Sequence, residues 1–263
     1  MTKQDLAKEI LGCKNVEQLP QKGNRNCGIF VSIGEHRFSD KFERVSCKFY
    51  KGDGTTKGFA EGYMPFHQRD FAKIPELKNP LIQQSLECGI WENAQPYSVF
   101  QFIEGKMLRD VVGNKDNPII KPTLSIEQAK SILTDMFCNV WIPLWLAGIR
   151  FRDGHTGNWV LGEDGKAYMI DTEQMRKDAV EFLYNPTSWT QRDKHEKSCL
   201  KLVHGIFADF SNACGIKITD SSAKKTLANT NLLQSLSTLG RTDFSKANAI
   251  IEFEKTLKKF FEK

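Results

Sequence analysis

Three side chains that carry oxygen ligands lie close together between residues 148 and 175. Asp153 is followed five residues later by Asn158, and Asp171 lies 18 residues after Asp153. Carboxylate and amide oxygens are ligands that Mg²⁺ prefers, and a carboxylate can also accept a proton from a hydroxyl. The set is therefore suited to phosphoryl transfer from a magnesium-bound nucleotide.

A predicted hairpin brings two of these residues together. Trp159–Leu161 and Ala167–Ile170 are short apolar runs joined by the turn sequence GEDG at 162–165. A Gly/Asp turn between two such runs is typical of a β-hairpin. Asn158 enters the first strand and Asp171 leaves the second, so we expect both at one end of the hairpin.

The same segment resembles the protein-kinase-like superfamily. FRDGHTGN (151–158) resembles the catalytic loop HRDxxxxN, and MIDTE (169–173) resembles the strand that ends in DFG. The resemblance implies that Asp153 accepts the proton of the attacking hydroxyl, and that Asn158 and Asp171 hold the Mg²⁺ ions that bridge the phosphates of ATP. His155 stands where protein kinases carry a lysine. It either contacts the γ-phosphate or supports the loop, and both roles stay open.

Two upstream segments resemble further parts of the nucleotide site. GNRNCG (23–28) is similar to a glycine-rich loop, although Arg25 replaces its middle glycine. The resemblance implies that Gly23 and Gly28 let backbone amides approach phosphate. VSCKFY (45–50) resembles the VAIK strand, which makes Lys48 the partner of the α- and β-phosphates.

The resemblance also implies which residues lie beside Lys48 and beside adenine. Asp70 is favoured by its spacing as the acid that pairs with Lys48, and Glu61 stays open as the alternative. FQFIEGKML (100–108) resembles the kinase hinge. The resemblance implies that the backbone from Gln101 to Ile103 binds adenine, with Phe100 at the gatekeeper place.

Several positions depart from the protein-kinase pattern. Phe151 replaces the histidine of HRD, and DFG reads DTE. Asp193 follows Asp171 by only 22 positions, and it is either the counterpart of a buried helix aspartate or an ordinary helix N-terminal acid. So short an activation segment predicts activity without its phosphorylation. Kinases of this kind resemble bacterial effector kinases that act inside host cells.

The sequence says least about the molecule that accepts the phosphate. The pattern DxHxGN is similar to the loop of aminoglycoside and choline-type kinases, and the pair Asn158-Trp159 is similar to phosphoinositide 4-kinases. We favour Ser/Thr of a protein as the acceptor, with a small molecule or phosphoinositide as the alternative. A nucleotide-binding pseudokinase is a third hypothesis, but a protein without turnover has no need of Lys48, Asp153, Asn158 and Asp171 together.

Amino-acid composition bears on the partners and the cellular compartment of the protein. Lys and Arg number 37 against 32 Asp and Glu, a surplus of +5 that gives no case for a nucleic-acid partner. The seven cysteines include no CxxC pair, which indicates a reducing compartment. With neither a signal peptide nor an apolar run of membrane-spanning length, the expected location is cytoplasmic, including delivery into a host-cell cytosol. The sequence leaves the oligomeric state open.

The element pattern predicts an α+β, bilobal, protein-kinase-like fold. Strand-like runs fill the first hundred residues, whereas helical spacing behind a capping box at Ser125 and Gln128 begins the second part. Residues 1–102 are predicted to form a nucleotide-covering lobe and residues 103–263 a helical catalytic lobe. A C-terminal amphipathic helix is expected to pack on that lobe through Ile250, Ile251, Leu257, Phe260 and Phe261.

Asp153→Ala should abolish phosphoryl transfer while ATP binding survives. Loss of a general base lowers turnover by about 10²–10⁴-fold, whereas the groups that bind nucleotide remain. Turnover and ATP affinity measured on the same preparation test this, and unchanged turnover would remove Asp153 from its assigned role.

Overall fold

The computed structural model describes residues 1–20, 26–50, 74–91, 95–113, 119–151, 154–172, 175–177, 202–239 and 245–262. The chain divides into two compact units, Met1–Ile103 and Glu104–Lys263. The first is rich in strands and the second is mainly helical, so the predicted α+β class is confirmed. The functional roles assigned to residues 1–102 and 103–263 stay predictions.

The N-terminal unit is built on a five-stranded antiparallel sheet. Its elements are α1 (Lys3–Leu11), β1 (Asn15–Gln18), β2 (Asn26–Ile33), β3 (Val45–Tyr50), β4 (Ser85–Trp91) and β5 (Gln95–Gln101). The strand order is β1-β2-β3-β5-β4. The strand-like runs of the first hundred residues, 29–33, 45–50, 82–91 and 97–102, fall in β2 to β5, except that residues 82–84 precede β4 and residue 102 follows β5. Pro75–Lys78 form a 3₁₀ turn.

The two faces of this sheet have different neighbours. Side chains alternate along a strand, so Cys47 and Phe49 point away from the face that carries Lys48. Cys47 and Phe49 belong to a buried cluster with the apolar side of α1. Burial raises the pKa of the Cys47 thiol, which keeps it neutral as a packing group. Helix α1 therefore packs on the face opposite Lys48.

The C-terminal unit combines short sheets with helices. Its strands are β6 (Gly105–Met107), β7 (Ile149–Phe151), β8 (Trp159–Gly162), β9 (Ala167–Met169) and β10 (Met175–Lys177). They form a three-stranded sheet, β6-β8-β9, and a two-stranded sheet, β10-β7. Its α-helices are α2 (Leu108–Val112), α3 (Ile126–Thr134), α4 (Ile142–Leu146), α5 (202–213), α6 (Asp220–Ala228), α7 (Leu232–Thr238) and α8 (Lys246–Phe261).

A π-helix, Asp135–Trp141, interrupts the run from α3 to α4. The expected capping box at Ser125 and Gln128 is confirmed, and apolar residues follow it at helical spacing. Pro143 cannot donate a backbone hydrogen bond, and its ring crowds the carbonyl four residues earlier. The wider π turn, in which the Ile142 N–H reaches back to the Phe137 carbonyl, precedes this proline and accommodates it.

Helix α8 packs within the C-terminal unit, as expected. The Phe253 ring stacks on Phe137 with centroids 5.2 Å apart, and Phe260 lies 4.8 Å from Phe207. The expected apolar face was wrong at one position, because Ile251 is 47% exposed while Phe253 is fully buried. The helical phase places residue 253 toward the core and residue 251 toward solvent. None of the described helices is both long and apolar enough to cross a bilayer.

Gly105→Ala should destabilise the C-terminal unit. Gly105 has φ +149°, and a Cβ there would lie 2.1 Å from the carbonyl oxygen of Leu161, to whose strand β6 is paired. We expect the free energy of unfolding to fall by about 1–3 kcal/mol, the usual cost of an overpacked site.

Gly205→Ala is the matched control. It lies in α5 with no atom within 4 Å of the added Cβ, so alanine should raise stability by about 0.5–1 kcal/mol. Denaturant unfolding of both variants measures the difference. Equal stabilities would mean that the close approach of β6 to β8 is not needed.

Candidate functional site at the end of a hairpin

Strands β8 and β9 bring Asn158 and Asp171 to the same end of a hairpin. Trp159 pairs with Met169, and the next backbone bond runs from the Ile170 N–H to the Asn158 carbonyl at 2.9 Å. Asn158 thus enters the first strand and Asp171 leaves the second, both at the end of the hairpin opposite its turn. The expected hairpin and this juxtaposition are present, while the metal-binding role stays a prediction.

A 3₁₀ turn, Thr156–Asn158, positions Asn158. The Asn158 N–H donates to the His155 carbonyl at 2.9 Å, and the side chain of Asn158 is buried. His155 begins the turn, and its Nδ1 accepts the Gly157 N–H at 3.0 Å. The structure therefore gives the His155 ring a loop-supporting contact, whereas its contact with a γ-phosphate is untested.

Gly157 is required by the same contact. A Cβ at this position would lie 2.8 Å from both Nδ1 and Cε1 of His155. Any side chain at position 157 would displace the ring that caps the turn. The histidine and the glycine of the DxHxGN pattern consequently depend on each other.

Asp171 has a left-handed backbone, with φ +58°. Residues other than glycine seldom adopt this region, although Asp and Asn do so several-fold more often than most, and such conformations are concentrated at functional sites. β9 ends at Met169, and the bond from the Ile170 N–H to the Asn158 carbonyl fixes the chain directly before Asp171. The hairpin thus constrains the backbone that leads into Asp171.

Asp135 anchors the hairpin, and sequence reasoning missed it. Its Oδ2 accepts the Ala167 N–H at 3.3 Å at the start of β9, while its Oδ1 accepts from the Asn139 amide at 3.0 Å. A carboxylate within an otherwise apolar helical run is the signal that could have identified it. Through this contact the π-helix holds β9 in place.

In the N-terminal unit, Lys48 lies half-buried on β3. Its Nζ is 5.2 Å from the centroid of the Tyr50 ring. Lys48 pairs across the sheet with Ser98, whose buried hydroxyl has no hydrogen-bond partner among the residues that the structure describes. Burying a hydroxyl without a partner is costly, so a polar group with no partner among the described residues lies beside the lysine on this face of the sheet.

Gly28 has a packing reason that the sequence did not reveal. It lies at an irregularity in the β2–β3 pairing, and a Cβ there would lie 2.8 Å from the Phe30 ring. Glycine is required at this point whether or not phosphate binds. Its phosphate-binding role stays a prediction.

In the segment from Gln101 to Ile103, part of the backbone makes no hydrogen bond among the described residues. The Gln101 N–H donates to Gln84 O at 2.9 Å, and the Phe102 N–H donates to Arg44 O at 3.0 Å. Gln101 O accepts from the Gln83 side chain at 2.9 Å, which leaves its second lone pair. Within the described part of the chain, neither the N–H nor the carbonyl of Ile103 has a hydrogen-bond partner.

Six residues named in the sequence analysis lie outside the described residues: Gly23, Arg25, Glu61, Asp70, Asp153 and Asp193. Among the side chains that are described, no group of three or more His, Cys, Asp or Glu could hold a metal ion. Mg²⁺ commonly takes one or two protein oxygens together with water and phosphate. The amide of Asn158 and the carboxylate of Asp171 fit such a two-ligand site.

Among the comparisons with known proteins, only the one with solved structures gave matches. No protein-family model matches the chain, and no curated protein matches its sequence. The structure is similar to that of WbdD solved with the kinase inhibitor LY294002, with a TM-score of 0.53 and 16% identity over 93% of this chain. A 2.2 Å crystal structure of WbdD matches with a TM-score of 0.52 and 15% identity, also over 93% of this chain.

The fold is kinase-like. This likeness concerns architecture, since the shared identity is low. The chain spans less than half of the WbdD chains it matches, 46% in both structures. The kinase-like architecture agrees with the fold that the motif order predicts.

Asp171→Gly should be about 1 kcal/mol more stable than Asp171→Ala. Glycine adopts a positive φ without the Cβ collision that alanine suffers there. The exposed helical residue Glu254 serves as the control, because there the alanine variant should be more stable than the glycine variant by a similar amount. Denaturant unfolding of the four variants gives both differences. The same order at both positions would contradict the left-handed backbone of Asp171.

Proposed function

We propose that this protein is an ATP-dependent phosphotransferase that moves the γ-phosphate to a hydroxyl. One observation carries the proposal: Asn158 and Asp171 lie at the same end of a hairpin, with Asp171 on a left-handed backbone. The kinase-like architecture supports it. So does the order of Lys48, Asp153, Asn158 and Asp171 along the chain.

Each residue of the set has an assigned part in the transfer. Asp153 accepts the proton of the acceptor hydroxyl as its oxygen bonds to the γ-phosphorus and the bond to the leaving ADP oxygen breaks. Lys48 and the segment from Gly23 to Gly28 hold the phosphates. Asn158 and Asp171 would hold Mg²⁺, which when bound neutralises charge on those phosphates.

Adenine would be recognised by the backbone near Ile103. Its N–H can donate to a ring nitrogen, and the second lone pair of Gln101 O can accept from the exocyclic amine. Phe102 contributes no amide to this recognition, because its N–H is already bound within the sheet. Adenine recognition is thus assigned to Gln101 and Ile103 in this proposal.

Ser/Thr of a protein is the favoured acceptor, and a small-molecule kinase is the second candidate. The mutual dependence of His155 and Gly157 favours the latter, because it gives the DxHxGN pattern of small-molecule kinases a structural reason. A phosphoinositide acceptor and a pseudokinase without turnover are retained as outcomes of the test. A cytoplasmic location stays a prediction.

Incubation with Mg²⁺ and γ-labelled ATP, with and without cell lysate, tests the function. Label in protein bands supports a protein acceptor, whereas label in small solutes or lipid supports the other kinase classes. Bound nucleotide without label in any fraction would indicate a pseudokinase and contradict the proposed transfer.

Asp171→Asn should lower transfer by about 100-fold or more, because charge stabilisation by the metal depends on its carboxylate. Asp164→Asn is the matched control, since it removes a carboxylate from the turn at the opposite end of the same hairpin. Equal losses in the two variants would indicate a general effect on the hairpin and remove Asp171 from the site. Nucleotide affinity with and without Mg²⁺ is measured alongside.

A further inference from the structure

A cationic side chain, Arg109, lies beside the turn that carries Asn158. Strand β6 pairs with β8, with Met107 opposite Val160, and α2 follows β6 directly. Arg109 is therefore near the end of the hairpin from which Asn158 and Asp171 leave. A Cβ built at Gly157 would lie 3.4 Å from Arg109 Cδ, so the arginine stem lies against that turn.

The guanidinium of Arg109 is weakly compensated. Its side chain is 33% exposed, and its ion pair in the described part of the chain is with the adjacent Asp110, Nε to Oδ1 at 3.7 Å. The Asp110 side chain is itself 51% exposed. Exposed pairs of this length contribute little, so the forked guanidinium keeps most of its capacity to bind a carboxylate or phosphate.

The place of Arg109 indicates which anion it would meet. It contacts the turn at Gly157, which lies in the sequence between the proposed proton acceptor Asp153 and the proposed metal ligand Asn158. In the proposed function, the acceptor hydroxyl is bound at this same catalytic-loop sequence. Phosphates of the nucleotide are assigned to Lys48 and the metal ligands instead.

We propose that Arg109 binds an anionic group of the acceptor, and that the favoured acceptor is a Ser/Thr residue within an acidic peptide segment. This proposal rests on the proposed phosphotransferase function. Arg109 acts as a specificity-determining residue: its guanidinium pairs with a carboxylate or phosphate that neighbours the target hydroxyl. Neutral and basic peptides cannot form this ion pair with Arg109.

Peptide binding tests the proposal without requiring turnover. Two fluorescent peptides with one central Ser are compared, one flanked by Asp and Glu and the other by Asn and Gln, with the full chain and a magnesium-bound non-hydrolysable ATP analogue. The wild type should bind the acidic peptide more tightly. Arg109→Gln should weaken acidic-peptide binding by about three- to tenfold and leave the neutral peptide unchanged.

Lys166→Gln is the matched control. Lys166 also forms a 3.7 Å pair with an aspartate close in sequence, but at the opposite end of the hairpin, so this variant should bind both peptides as the wild type does. Equal acidic-peptide affinity in wild type and Arg109→Gln would overturn the proposal. A loss of affinity for the ATP analogue in Arg109→Gln would also overturn it, by placing the arginine on the nucleotide.

A parallel transfer assay on both peptides separates this proposal from the proposed function. An Arg109-dependent preference for the acidic peptide, with no transfer to any acceptor, would contradict the phosphotransferase while leaving the anion site intact. Transfer to both peptides at equal efficiency would retain the phosphotransferase and overturn the role of Arg109.

Discussion

The pairing of β8 with β9 is the constraint on which the candidate site depends. One further bond beyond that ladder, from the Ile170 N–H to the Asn158 carbonyl, fixes where two oxygen-bearing residues leave the hairpin. Neither residue needs a long-range contact of its own to be near the other. Asp135 holds the second strand, and the capped turn at His155 holds the first. Backbone hydrogen bonds alone therefore bring Asn158 and Asp171 near each other, whatever their side chains contact.

The sheet of the N-terminal unit separates packing from polar function by alternation. One face carries Cys47 and Phe49 into the cluster with α1, and the other carries Lys48 beside the buried hydroxyl of Ser98. A shift of one residue in the β3–β5 register would exchange these faces. Burial of the apolar face therefore also determines the side of the sheet on which Lys48 lies.

Sequence patterns predicted the elements with strong local signals and missed those set by tertiary contacts. The hairpin, the capping box at Ser125 and the α+β class follow from turn chemistry and periodicity. The π-helix did not, because its apolar spacing over a few residues resembles an α-helix. Motif order made Asn158 and Asp171 candidate metal ligands, a role that stays a prediction, whereas the positive φ of Asp171 and the position of Arg109 depend on neighbours distant in sequence. Ile251 was placed on the wrong face because hydrophobicity alone does not define helical phase.

The π-helix at Asp135–Trp141 fits one more residue into its turn than an α-helix of the same rotation would. Removing one residue from this turn would therefore restore α-helical bonding without rotating the residues that follow, and Trp145, which is buried, would keep its direction toward the core. The same deletion within α3 would instead rotate everything that follows by about 100°. The π-helix is thus the part of this helical run in which the chain can change length by one residue while the helical phase is retained.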